Sequence, residues 1–240
     1  MPFDEAKLGL KILAQSASDI VVLKPAGMAS DLTRDPRRES LISRVRRAAP
    51  EDADPKLVNR LDRVTRGPMI VAMSRAAAAF YGEQIREGMW AKFYLARIPS
   101  PPRKMLAEGG RLIGKHKAYI KETPEKAKLV HSGGKPSFLE ILEVEPASGH
   151  ANESHVLIRL LTGRLHQIRV MLAGLGLPLI GDTLYGGKEG PMYLEHVALW
   201  YVDFTTRDMM LAYLREDPGR EPLGASIRQR LAEVTTRPPL

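Results

Sequence analysis

Asp62 stands between Arg60 and Arg63 in the tract Asn59-Arg60-Leu61-Asp62-Arg63-Val64-Thr65-Arg66-Gly67. A carboxylate beside guanidinium groups stays ionised, because opposite charge lowers its pKa from a reference of about 3.9. An ionised carboxylate serves as a nucleophile or a base. An aspartate in a turn also serves as a cap or an ion-pair partner, so this tract alone leaves both readings open. Further along, Thr162-Gly163-Arg164 closes an expected strand and opens a helical segment at His166. Its glycine permits a tight backbone path, its arginine can pair bidentately with a carboxylate or phosphate, and a helix N-terminus favours anions. Together the two tracts point to a catalytic aspartate working on a polyanion.

The elements expected to position these residues alternate irregularly. Strands are expected over 20–24, ending at Pro25-Ala26-Gly27, then over 69–73, 90–98, 138–144, 155–161 and 193–204. Amphipathic helices are expected over 40–49, from Ser74 to a stop at Gly88, over 166–174 and over 225–234. The polar, Lys- and Gly-rich stretch 103–136 reads as irregular hairpins or a mobile arm, after a proline cluster that reads as a linker. Strands outnumber helices, so the fold class is α+β, with a mixed, mainly antiparallel central sheet and flanking helices. The expected organisation is an N-terminal extension over 1–19, a catalytic domain over 20–215 and a C-terminal tail and helix over 216–240.

Composition narrows the chemistry. The 240 residues are 44% hydrophobic and 27% charged, the balance of an ordinary globule. Lys and Arg total 36 against 28 Asp and Glu, and the net charge of +8 favours phosphate backbones without proving a nucleic-acid partner. Cysteine is absent, which excludes disulfides, thiolate nucleophiles and cysteine-ligated metals. The histidines His116, His131, His150, His155, His166 and His196 lack paired-ligand spacing, so no metal site is expected. No apolar run is long enough to cross a bilayer, and a cytoplasmic location is the default.

The chain resembles the RluA-type pseudouridine synthases. The family hallmark His-Arg-Leu-Asp-x-x-Thr-Ser-Gly is matched at Arg60-Leu61-Asp62, Thr65 and Gly67. Val21-Val22-Leu23-Lys24-Pro25-Ala26-Gly27 looks like the opening strand and Lys-Pro-x-Gly turn. Lys92-Phe93-Tyr94-Leu95-Ala96 looks like the Lys-x-Tyr-x-Ala strand, and Gly134-Lys135-Pro136-Ser137 resembles the Gly-Lys-x-Ala/Ser turn. The residues from Thr162 to Arg169, then Gly176, Pro178, Gly181-Asp182 and Tyr185-Gly186, follow the second signature. The chain departs from the family at Asn59, Arg66, Pro68 and Met171.

The resemblance implies a catalytic carboxylate at Asp62, an ion-pairing Arg164, a Tyr94 that stacks on the target uracil and an Arg60 that fills the gap left by an extruded nucleotide. Arg63, Arg66, His166, Gln167, Arg169 and Lys92 are further RNA-contact candidates, with Arg37, Arg38, Arg44, Arg46 and Arg47 on the helix over 40–49 and just before it as phosphate contacts or a solvated face. It also implies rRNA or tRNA as partner, with no DNA and no membrane, a monomer, and no cofactor, since the isomerisation conserves atoms and oxidation state. The alternative is a catalytically impaired RNA-binding protein of the same fold.

Overall fold

The computed structural model describes residues 3–33, 35, 37–107 and 110–238. The first two residues of the expected N-terminal extension and the last two of the C-terminal tail lie outside them. The elements run α1 (Glu5–Leu8), β1 (Ile12–Gln15), β2 (Asp19–Lys24), α2 (Leu41–Ala48), β3 (Lys56–Leu57), β4 (Gly67–Ala72), α3 (Arg75–Arg86) and β5 (Ala91–Pro99). They continue with α4 (Arg103–Leu106), β6 (Gly114–Glu122), β7 (Ala127–Leu129), β8 (Lys135–Pro146), β9 (Glu153–Leu160), α5 (Gln167–Gly174), β10 (Leu194–Val202), β11 (Met209–Tyr213) and α6 (Ala225–Thr236). The chain forms two compact units, Met1–Ala91 with His196–Arg215, and Lys92–Glu195 with Glu216–Leu240.

In the first unit β2 and β4 are nearly continuous apolar runs, and a strand buried on both faces reads that way. They pair antiparallel with Val21 opposite Ile70 and Lys24 opposite Gly67, inside a sheet of order β1-β2-β4-β3. Ser74 starts α3 by accepting the Ala77 N–H at 3.2 Å, which satisfies a donor that the first helical turn cannot. That helix lays Ala77 and Tyr81 on a core with Val21, Ile70, Trp90, Leu199 and Tyr201. Gln84 ties the helix to β10, donating to the Val202 carbonyl at 2.9 Å and accepting its N–H at 2.9 Å.

In the second unit the strand order is β5-β9-β8-β6-β7, each pair antiparallel. Of the two readings of the stretch 103–136, irregular hairpins or a mobile arm, the hairpin is present over 114–129 and is regular: β6 and β7 pair antiparallel, with Ile120 opposite Leu129. Helix α6 is anchored by Glu145 of β8, which accepts from the Ser226 hydroxyl at 2.9 Å and the Ser226 N–H at 3.2 Å. A carboxylate at that position also suits the positive end of the helix dipole. No helix of the described residues is long and apolar enough to cross a membrane.

Candidate active site

The loop over 59–67 carries Asp62, half-buried, between the exposed Arg60 and Arg63. Buried polar groups hold its backbone along its length. The Ser30 hydroxyl donates to the Leu61 carbonyl at 2.7 Å and accepts the Leu61 N–H at 3.1 Å. The Gly27 N–H donates to the Arg63 carbonyl at 2.7 Å, and the Thr65 N–H to the Asp62 carbonyl at 3.0 Å. At the far end His196 of β10 donates its N–H to the Arg66 carbonyl at 2.8 Å, while its Nδ1 donates to the Pro68 carbonyl at 2.9 Å. Gly67 has φ +135°, and a Cβ there would sit 2.1 Å from the His196 carbonyl oxygen, so only glycine fits the crossing. Asn59, where the family carries histidine, is half-buried with its Oδ1 lacking a hydrogen-bond partner. Arg66 is half-buried.

Lys24 is the residue that residue-type reasoning missed. It ends an apolar strand, yet it is 0% exposed while its neighbour Leu23 is only half-buried. Its Nζ runs under the turn and donates to the carbonyls of Met28 at 2.8 Å, Pro25 at 3.0 Å and Arg63 at 3.5 Å. The amine thus joins the Lys-Pro-Ala-Gly turn to the Asp62 loop. Burial pulls Lys24 down to about 8, with the Asp62 charge acting the other way.

This shift has a sign that can be measured. Unfolded lysines titrate near about 10.4. Between about 8 and that value the folded chain has released a proton that the unfolded chain keeps, so stability rises with pH. Burial and the Arg164 charge lower Lys92 to about 8 as well, so it adds to the rise. Tyr81, Tyr193 and Tyr201, all pushed up by burial, oppose it only above about 10. Urea midpoints should increase from about pH 7.5 to about pH 9.5 in the wild type and increase less in Lys24→Met. Equal increases in both proteins would contradict the shift.

In the second unit, Lys92 and Tyr94 project from one face of β5, two residues apart. Tyr94 is 6% exposed and Lys92 half-buried. The turn over 162–166 follows β9 and is organised by Gln167. Its side-chain oxygen accepts the Arg164 N–H at 3.0 Å and the Thr162 hydroxyl at 2.9 Å, and its amide donates to the Phe138 carbonyl at 2.9 Å. The left-handed residue of this turn is His166, at φ +51°, and not Gly163. A non-glycine residue there is uncommon and is held by its surroundings; His166 Nδ1 lies 2.9 Å from the Tyr185 hydroxyl. Arg164 is half-buried with its Nε lacking a hydrogen-bond partner, and its charge is felt by Lys92. Two cations close together in partial burial suit an anionic group, carboxylate or phosphate.

Two expected RNA contacts find other employment. Gln167 is 3% exposed, with its side-chain oxygen and amide both engaged by the turn it organises. Arg169 is 6% exposed and pairs bidentately with Asp182, Nε to Oδ2 at 2.7 Å and Nη2 to Oδ1 at 2.8 Å. Neither presents its side chain for a phosphate. Breaking such a buried pair from one side leaves a naked charge, so Asp182→Ala should cost about 3–5 kcal/mol of unfolding free energy. The paired replacement Arg169→Met with Asp182→Leu should recover most of that loss in urea titrations, and failure to recover would contradict the desolvation argument. Four of the arginines in and before α2 are also engaged: Arg44 and Arg47 each lie 2.7 Å from Glu39, while Arg37 and Arg38 lie 3.3 and 3.7 Å from Asp35. Among the described residues no group of three or more His, Asp or Glu side chains could hold a metal ion.

A family model described as RNA pseudouridylate synthase matches residues 19–174. The chain is 35% identical over 198 residues to the Dual-specificity RNA pseudouridine synthase RluA of Escherichia coli strain K12, covering 79% of this chain and 85% of that one. It is 30% identical over 193 residues to the Uncharacterized RNA pseudouridine synthase YhcT of Bacillus subtilis strain 168, covering 79% of this chain and 61% of that one. In fold it matches Human RNA Pseudouridylate Synthase Domain Containing 1 with a TM-score of 0.72 at 23% identity, over 99% of each chain.

Proposed function

This chain belongs to the RNA pseudouridylate synthase family and is an RNA-modifying isomerase, and from that premise we propose that Asp62 is its catalytic carboxylate, acting on a uridine of structured ribosomal or transfer RNA. The observation that carries the assignment is the loop over 59–67. Its backbone is fixed at Leu61, Arg63, Arg66 and Pro68 by Ser30, Lys24, Gly27 and His196, so the Asp62 side chain is presented from a preorganised frame. Fixing a charged group before substrate arrives avoids reorganisation during the reaction. Arg164 is assigned as counter-charge for the carboxylate and Tyr94 as the aromatic wall for the uracil. Arg60 is assigned as the group that fills the vacated stack, with exposed Arg63, half-buried Arg66 and Lys92 as phosphate contacts. A base must leave its stack to be rotated, and a ring and a plug offset that cost.

The reaction breaks the N1–C1′ bond and forms C5–C1′, while the C5 hydrogen leaves as a proton and N1 takes one up. Oxidation state is conserved throughout. RNA transcribed with uridine tritiated at C5 therefore provides the test. Incubation with the protein should release tritium to water without releasing free uracil. No tritium release overturns the isomerase assignment for Asp62, and free uracil would place the chemistry among hydrolases.

A further inference from the structure

Strand β6 turns an unpaired basic row to solvent. Side chains alternate across a strand, so Lys115, Lys117, Tyr119 and Lys121 share one face; all four are exposed, Tyr119 by 37%. Register places Phe138 opposite Lys117 and Lys128 opposite Lys121, which adds a half-buried ring and a further cation to the same face. The Lys117 Nζ lies 5.3 Å from the Tyr119 ring centroid and 5.9 Å from that of Phe138. Glu140 is the one acid at these paired positions, and it sits between Lys115 and Arg159. Among the described residues, Lys117, Lys121 and Lys128 have no side-chain ion pair or hydrogen bond, in contrast to Arg44 and Arg47 of α2.

The face is not the one that carries the β5 site residues. Gly114 pairs with Ile141, Ile141 with Ile158 and Ile158 with Tyr94, so Tyr94 projects from the opposite side of this sheet. We propose that the face formed by Lys117, Tyr119, Lys121, Lys128 and Phe138 binds a single-stranded segment of the RNA substrate. This rests on the reading of the protein as an RNA isomerase. Lys117 and Lys121, four residues apart on the strand, are spaced by about 13.6 Å and, with Lys128 beside Lys121, can follow a phosphodiester chain. The exposed Tyr119 ring offers a stacking surface to an unpaired base. A duplex, whose bases are already stacked, would use only the lysines.

A short fluorescent oligouridylate and a blunt RNA duplex of equal length, titrated with the wild type and with exposed-surface variants, test the proposal. Tyr119→Ala should weaken oligouridylate binding by about fivefold or more and leave duplex binding unchanged. The triple variant Lys117→Gln, Lys121→Gln, Lys128→Gln should reduce the salt slope of oligouridylate binding by about 2, at about 0.7 per phosphate contact. Unchanged affinity and slope in both variants would overturn the strip. So would lost binding to phosphatidylserine vesicles alongside unchanged oligouridylate affinity, which would assign the row to a membrane surface. Tritium release separates this inference from the enzymatic one. Normal release with variants that bind normally sinks the strip alone. Variant-sensitive binding by a wild-type protein that never releases tritium sinks the isomerase reading and leaves the strip.

Discussion

Asp62→Asn should bind RNA with nearly wild-type affinity and isomerise it more than about a thousandfold slower, the scale on which enzymes lose rate when a charged group at the reacting atoms is neutralised. The substitution keeps size and shape and removes the charge. The loop should survive it, because the bonds that hold residues 59–67 to Ser30, Gly27, Lys24 and His196 engage backbone groups of Leu61, Arg63, Arg66 and Pro68. One side effect follows from the buried lysine. Asp62 is the charge that opposes the lowering of Lys24, so neutralising it should move Lys24 further below about 8. Single-turnover tritium release at saturating enzyme measures the chemical step apart from binding. A rate within tenfold of wild type would remove Asp62 from the catalytic role.

Arg164→Ala should cut the same rate by about a hundredfold or more. The turn itself should persist, because Gln167 grips the Arg164 backbone N–H and the Thr162 hydroxyl without using the guanidinium. Arg164→Lys should rescue poorly, since an ammonium lacks the planar two-donor fork that fits a carboxylate. Loss of Arg164 also relieves the charge that helps lower Lys92, which should titrate above about 8 in the variant. A near-normal rate in Arg164→Ala would contradict the assigned role.

Elements whose apolar pattern is complete in themselves were legible in the sequence. The run over 20–24 is β2, the Ser74-capped alanine stretch is α3, and the aromatic run after Trp90 is β5. Strands β1 and β3 are four and two residues long and are defined by the neighbours they pair with, so little in their own residues announces them. The β6–β7 hairpin was hidden for another reason. It buries only Ile120 and Ala127 on its inner face while lysines fill the outer one, and a strand with so few apolar positions reads as polar coil.

The site divided in the same way. Residue type and motif singled out Asp62, Tyr94 and Arg164 as candidates. Which polar residues face inward could not be read. Lys24, Ser30, Gln167, Arg169 and His196 are polar by type and buried in fact, and their work is to satisfy backbone carbonyls or, for Arg169, the Asp182 carboxylate. A buried polar group reveals its role through its partner, which lies far away in sequence.

The most direct test is a nucleotide-resolution pseudouridine map of RNA from a host lacking this protein, made after incubation with the purified wild-type chain. Pseudouridine should appear at discrete uridines and at none of them with Asp62→Asn. An unchanged map after incubation with active, folded wild-type protein would contradict the account.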